Sequence, residues 1–247
     1  MDQVEFGNFF NEELDPGVEG WFFRGDVLMF YVLLQTQQAA GIEGEICELG
    51  SYKGRSAIVL GKVKRPTERL FCLCRFEEQY AAEFRENVRR LMPEALSTLV
   101  AIRVPDLMEL RAPPQQMDGV SLRFLHIDAG HGHREVLNDL RNFAPRVTAG
   151  GVVVLDDVFD PSFPGVATAM AEYCLSSQAE GLVPFATSPS KAYLCHRPYA
   201  PFYQRALVGS GAAGGMMVED GLGGPVLVCF SRFDETPGQD ELLAAIG

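Results

Sequence analysis

The chain has 247 residues, of which 47% are hydrophobic and 22% charged, and a formal net charge of −12. That length permits a well-buried core, and that hydrophobic content excludes general disorder. The acidic balance, without any run of Lys and Arg, argues against broad contact with nucleic acid or an anionic membrane. The opening residues, MDQVEFGNFFNEELDPG, lack a charged-then-apolar signal pattern. The longest apolar stretch, at 27–34, is too short to span a bilayer, so a cytoplasmic protein is expected. Cysteines at 47, 72, 74, 174, 195 and 229 form no C-x-x-C pair, and most lie in apolar runs, as buried reduced thiols do.

The start reads as irregular and acidic, followed by an apolar helix, VLMFYVLLQTQQ, with Asp26 as its expected N-cap. GEICELG then predicts a strand, and KGRSAIVLGKV the helix after it. A short strand at 70–74, an amphipathic helix at 77–92 and a strand at 99–104 follow. SLRFLHID reads as a strand ending on an acid, HREVLNDLRNFAPRV as its helix, and GGVVVLDD as a further strand ending on acids. Beyond Gly165 a helix runs to about Leu175, before strands LVPFA and KAYLC, a short helix near Tyr203 and a strand PVLVCFS.

Short apolar runs alternating with amphipathic helices predict an α/β fold, a Rossmann-like doubly wound and mostly parallel sheet covered on both faces. The simplest organisation is a single domain over 1–247. Its parts would be an N-terminal helical cap or lid (1–40), a core (41–197) and a C-terminal extension (198–247). The lid would draw on GWFFRGD, with the lone Trp21, and on the glycine-rich 209–224.

In such sheets ligands bind at the carboxyl ends of the strands, where strand order reverses. The first strand ends in Glu48-Leu49-Gly50-Ser51-Tyr52-Lys53-Gly54-Arg55-Ser56. Gly50 permits a tight turn with close backbone approach, and Gly54 permits close packing of the helix start. Free N–H groups at that helix start suit a carboxylate. The turn does not spell the G-x-G-x-x-G of nicotinamide and flavin sites.

E-L-G-S-Y-K-G-R-S, then H-I-D-A-G-H, then G-G-V-V-V-L-D-D resemble the motifs of class I S-adenosylmethionine-dependent methyltransferases. The likeness is to the macrocin O-methyltransferase branch, which acts on sugar hydroxyls of natural products, and it covers roughly residues 20–196. It implies that Glu48, Gly50, Ser51, Gly54 and Ser56 line the methionine end of S-adenosylmethionine, and that Asp106 sits near the adenine. Asp106 could instead cap the residues after it. The family's second strand usually ends in an acid that holds the ribose hydroxyls. Here Cys74 stands in that place, and Glu77 or Glu78 is the candidate replacement, with a capping or solvent role as the alternative for each.

Asp128 ends one strand, and Asp156 and Asp157 end the next. If those strands are neighbours, the carboxylates converge and repel one another unless protons or a cation neutralise them. A hard divalent ion such as Mg²⁺ suits oxygen ligands and would lower the pKa of a hydroxyl bound to it. The resemblance also implies a divalent metal on acids matching these positions. Otherwise the Asp pair caps its loop and Asp128 touches only the cofactor. The family often has a second acid two residues after the first; here that place is Gly130, so the base differs or comes from elsewhere. His131 and His133 are candidate proton acceptors, while His126, inside the strand, reads as structural. His131 could also serve only to bond backbone at the helix start.

These readings predict an O-methyltransferase using S-adenosylmethionine and a divalent metal on a small-molecule hydroxyl, with Asp128 and His131 at the reacting centre. Apolar residues of the N-terminal helix make a homodimer reasonable. The alternatives are a metal-independent methyltransferase and a non-catalytic protein that keeps the fold.

Overall fold

The computed structural model describes residues 1–212, 214–230 and 237–246. The start of the chain is helical: α1 (Gln3–Phe9), a π-helical turn (Phe10–Leu14) and a single turn, α2 (Asp15–Gly17). The expected irregular start is therefore corrected. Asp2 and Glu5 form a capping box, in which the Asp2 carboxylate accepts the Val4 and Glu5 N–H groups at 2.9 Å. The long helix is α3 (Arg24–Ala39), capped at Phe23 rather than Asp26. Asp26 lies inside its first turn, buried, and accepts the Tyr193 hydroxyl at 2.6 Å.

The core then alternates as its periodicity predicts: β1 (Glu45–Leu49), α4 (Arg55–Val63), β2 (Leu70–Cys74), α5 (Glu78–Leu91), β3 (Leu99–Arg103), β4 (Leu122–Ile127), α6 (His133–Phe143), β5 (Val147–Leu155) and α7 (Pro164–Leu175). β6 (Leu182–Thr187), β7 (Ala192–His196) and α8 (Ala200–Ser210) follow. The chain ends with a hairpin, β8 (Met216–Gly221) and β9 (Gly224–Cys229), and with α9 (Gln239–Ile246); β8 and α9 were not anticipated. Ser231, the last residue of the predicted final strand, and residue 213 in the glycine-rich stretch lie outside the described residues.

Among the described residues one sheet holds nine strands in the order β3-β2-β1-β4-β5-β7-β6-β9-β8. β1 to β5 pair in parallel, β7 runs antiparallel between β5 and β6, and the hairpin extends the sheet beyond β6. The inner strands are apolar on both faces because helices cover both. Ile46 and Phe124 face the core shared with α3, α4 and α8, whereas Cys47, Leu49 and Leu125 face that shared with α6 and α7. Most apolar residues of α3 are buried in this core, whereas Val4, Trp21 and Phe23 of the N-terminal segment are exposed. Among the described residues no helix is long and apolar enough to cross a membrane, and all six cysteines are free thiols.

A buried network closes the amino end of the sheet. Arg123, fully buried, holds both Glu68 oxygens at 2.7 Å and the Gln37 side-chain oxygen at 2.7 Å, joining β4, the segment before β2, and α3. Burial pushes the Glu68 carboxyl up, but the guanidinium overrides it and holds the group below its ordinary value.

At the carboxyl end, strand order reverses between β1 and β4. The Gly50 N–H donates to the Leu73 carbonyl at 2.8 Å, and the Asp128 N–H donates to the Leu49 carbonyl at 2.9 Å. Gly50 has φ +96°, and a Cβ there would lie 1.7 Å from the Asp128 carbonyl oxygen. The need for glycine is thus set inside the protein, by strand-end packing. Gly50→Val should lower stability by roughly 3 kcal/mol or more, measured by urea unfolding. Gly209→Ala, with nothing within 4 Å of the added Cβ, should raise it by about 0.5–1 kcal/mol. A Gly50→Val protein as stable as the parent would refute the close approach.

Candidate active site

The ends of β1 to β4 open into a first cavity of about 590 Å³, whose walls include Gly50, Cys74, Glu77, Tyr80, Asp106 and Asp128. A second, of about 870 Å³, crosses the ends of β1, β4 and β5 beneath residues 19–23 and beside the loop 157–163. Both volumes suit small organic ligands. Gly50, Tyr52, Asp128, Ala129 and His131 line both cavities and form the seam between them. Tyr52, Phe76 and Asp157 hold φ of +41°, +42° and +56°. Left-handed backbone at such residues costs of order 1–3 kcal/mol each and here is concentrated in the cavity walls.

Of the residues expected at the cofactor's methionine end, Gly50 lines both cavities, while Ser51 and Ser56 line the second. Glu48 and Gly54 stand behind these walls. A Cβ on Gly54 would lie 3.0 Å from the Phe84 ring, so this glycine seats α4 against α5. Glu48 is fully buried, with Oε1 3.0 Å from His126 Nδ1. Burial pushes the Glu48 carboxyl up, yet the histidine contact outweighs it and holds the group below its ordinary value. Cys74 and Glu77 share the first cavity, and Glu77 makes no capping bond to α5 but lies 3.5 Å from Arg75. Asp106 lies on the same wall, and its carbonyl accepts the Glu109 N–H.

The three terminal acids separate by partner. Asp156 is buried and ion-paired with Lys191, itself 1% exposed. Asp157 Oδ2 lies 3.0 Å from His131 Nε2, and the His131 ring stacks on Phe163 with centroids 4.1 Å apart. Burial and the negative Asp156 push the Asp128 carboxyl up to about 7. Burial also raises Asp156, but Lys191 and His126 outweigh it and hold that group below its ordinary value. Asp157 raises His131, with burial opposing. His133 is tied to α7 through Thr168 at 2.9 Å and Glu172 at 3.0 Å, and lines neither cavity.

Possible ligand atoms of His126, Asp128 and Asp156, and of Asp128, His131 and Asp157, fall within 4.8 Å of one another. Among the described residues Asp128, Asp156 and Asp157 do not form one such group. A hard ion held by those three carboxylates does not fit this arrangement. One carboxylate already faces a buried ammonium, another an imidazole, and oxygen-seeking ions are poorly served by nitrogen.

Sequence reasoning missed Lys191 because a lysine opening the apolar strand KAYLC carries no signal of what lies opposite. It also passed over Asp139 on α6, a buried wall residue of the first cavity. Asp139 Oδ2 has no hydrogen-bond partner among the described residues, and burial pushes the carboxyl up to about 7.

A family model described as a methyltransferase domain matches residues 47–158, which span β1 through the end of β5. The chain has the fold of class I methyltransferases. The solved structure of CalS11, a TDP-rhamnose 3'-O-methyltransferase of calicheamicin biosynthesis, is 18% identical with TM-score 0.57, covering 78% of this chain and 90% of that one. TomG, an O-methyltransferase of Streptomyces achromogenes solved with S-adenosylmethionine, is 16% identical with TM-score 0.53, covering 79% and 90%. An O-methyltransferase of Bacillus cereus, solved with S-adenosylhomocysteine, is 18% identical with TM-score 0.52, covering 79% and 91%. No curated protein matches the chain. At these identities the structural likeness establishes the fold alone.

The His131–Asp157 pair yields a pH prediction. A histidine raised by its partner stabilises the fold fully below its unfolded value, and that contribution disappears as pH rises through the folded one. Asp157→Asn keeps a residue that tolerates left-handed backbone. It should lower the His131 pKa, followed by NMR of the ring proton, and destabilise the protein in acid more than in base. An unmoved His131 titration would disprove the pairing.

Proposed function

We propose that the chain transfers the methyl group of S-adenosylmethionine to a hydroxyl of a small molecule. The observation that carries this reading is the pair of cavities meeting at Gly50, Tyr52, Asp128, Ala129 and His131. One cavity would hold the methyl donor and the other the acceptor, so the reacting atoms would meet in line at the seam. When bound, the cofactor supplies a methyl group on a positively charged sulfur.

The residues divide the remaining work. Glu77 would accept from the ribose hydroxyls in place of the acid missing at Cys74, Asp106 would flank the adenine, and Ser51 and Ser56 would border the methionine end. Asp128, at the seam, would face the sulfonium. His131 Nε2 lies 3.0 Å from Asp157 Oδ2; with the proton on Nε2, Nδ1 would be the acceptor for the hydroxyl proton. Its base-competent form grows as pH rises through the value that Asp157 elevates. Trp21, Phe22, Phe159 and Phe163 would enclose an organic acceptor and exclude water. The metal-assisted alternative finds less support, because Asp156 and Asp157 each have a cationic or imidazole partner.

We extend the same reading to a sugar or another natural-product hydroxyl as acceptor, to a single methyltransferase domain over 1–247, and to the cytoplasm. The motif resemblance supports the acceptor, and the continuous sheet supports the domain. Calorimetry should detect binding of S-adenosylhomocysteine to the chain without added metal. Glu77→Ala should weaken it by roughly 1–3 kcal/mol, as loss of a hydrogen bond from a charged group does. A folded chain that binds neither S-adenosylmethionine nor its product would overturn the function. Unchanged affinity in Glu77→Ala would remove only the ribose assignment.

A further inference from the structure

We propose that Lys191 is the resident counter-cation of the carboxylate edge and takes the electrostatic place of a divalent ion there. Its Nζ is paired with Asp156 and lies 5.0 Å from the centre of the Phe22 ring, and the side chain is 1% exposed. A buried ammonium is retained only where carboxylates compensate it, and removing it strands them. The lysine is held in place by its own turn. Lys191 N–H donates to the Ser188 hydroxyl at 3.1 Å, and Ser188 N–H donates to the Lys191 carbonyl at 2.9 Å. The neighbouring Ser190 carbonyl accepts the Val158 N–H at 2.9 Å, which ties this turn to the loop after β5.

Lys191 itself does not line the second cavity, whereas Asp156 does. It is therefore a positioning residue. It fixes Asp156 at the floor of that cavity, occupies the charge that the acids would otherwise offer, and repels any second cation approaching them. Asp156 is also bound from its other oxygen by the Asp157 N–H at 2.9 Å, which leaves it little freedom to turn toward an incoming ion. The inference gives the proposed methyl-transfer site a metal-free mode of operation, and it rests on that reading only for its catalytic meaning.

The test is Mn²⁺ binding to the full chain, followed by loss of the free-ion electron paramagnetic resonance signal. S-adenosylhomocysteine calorimetry on the same samples tests the function separately. The parent protein should leave Mn²⁺ free at millimolar concentration. Lys191→Met should bind it roughly tenfold or more tightly, since Asp156 is released and a repelling charge removed. Lys191→Arg should behave as the parent. Loss of a lysine with only a packing role would not create metal affinity. Micromolar Mn²⁺ binding by the parent, abolished in Asp156→Asn, would overturn the proposal, and so would a folded Lys191→Met that gains none. If Lys191→Met fails to fold, the parent and Asp156→Asn titrations still decide it: tight binding lost in the variant refutes the proposal, and no binding by either upholds it.

Discussion

The Gly50 backbone lies against the carbonyl of Asp128 with no room for a side chain, and much of the site follows from that contact. It brings the ends of β1 and β4 together where the strand order reverses. It also sets Tyr52 on one side and Ala129 on the other as the narrow wall between the two cavities. A wider separation would merge the cavities, and two ligands would no longer be presented to each other along one line.

Charge is organised around this contact in a graded way. Glu48 lies deepest, with Oε1 on His126 and Oε2 buried without a hydrogen-bond partner among the described residues. Asp156 comes next, ion-paired with Lys191, and Asp157, more exposed, is ion-paired with His131. Asp128 remains as the carboxyl that burial and Asp156 drive toward the protonated form. The opposite end of the sheet has no such gradient: Arg123 and Glu68 are bidentate and satisfied, without the left-handed residues that crowd the cavity walls. Strain and partial charge satisfaction thus gather where ligands would bind, and complete pairing where strands begin.

The alternating core was legible because its strands are short apolar runs buried on both faces and its helices carry one apolar stripe each. The family likeness was legible in the turns after β1, β4 and β5. α1 escaped notice although D-Q-V-E spells a capping box, because acidic residues dominate its surroundings. β8 escaped because an edge strand with Glu219 and Asp220 lacks apolar alternation. At the site, sequence placed Asp128, Asp156 and Asp157 at the correct strand ends but could not show their partners. Those partners come from residues 131 and 191, and only the folded sheet brings Lys191 against Asp156. Asp26 misled for a related reason, since its partner Tyr193 is 167 positions away.

The covering segment over the second cavity is fastened by its polar contacts to one turn, while Phe22 anchors it separately against Phe30 and His126. Lys53 reaches Glu19 at 2.7 Å, Arg55 holds the Gly20 carbonyl at 2.7 Å and pairs with Asp15, and Tyr52 stacks on Trp21. These three anchors sit on consecutive sides of Gly54, the left-handed cap of α4. The ceiling of one chamber and the partition of the other are thereby mechanically a single part. A shift of the turn would therefore draw on the ceiling through these contacts, so the shape of one chamber bears on the height of the other.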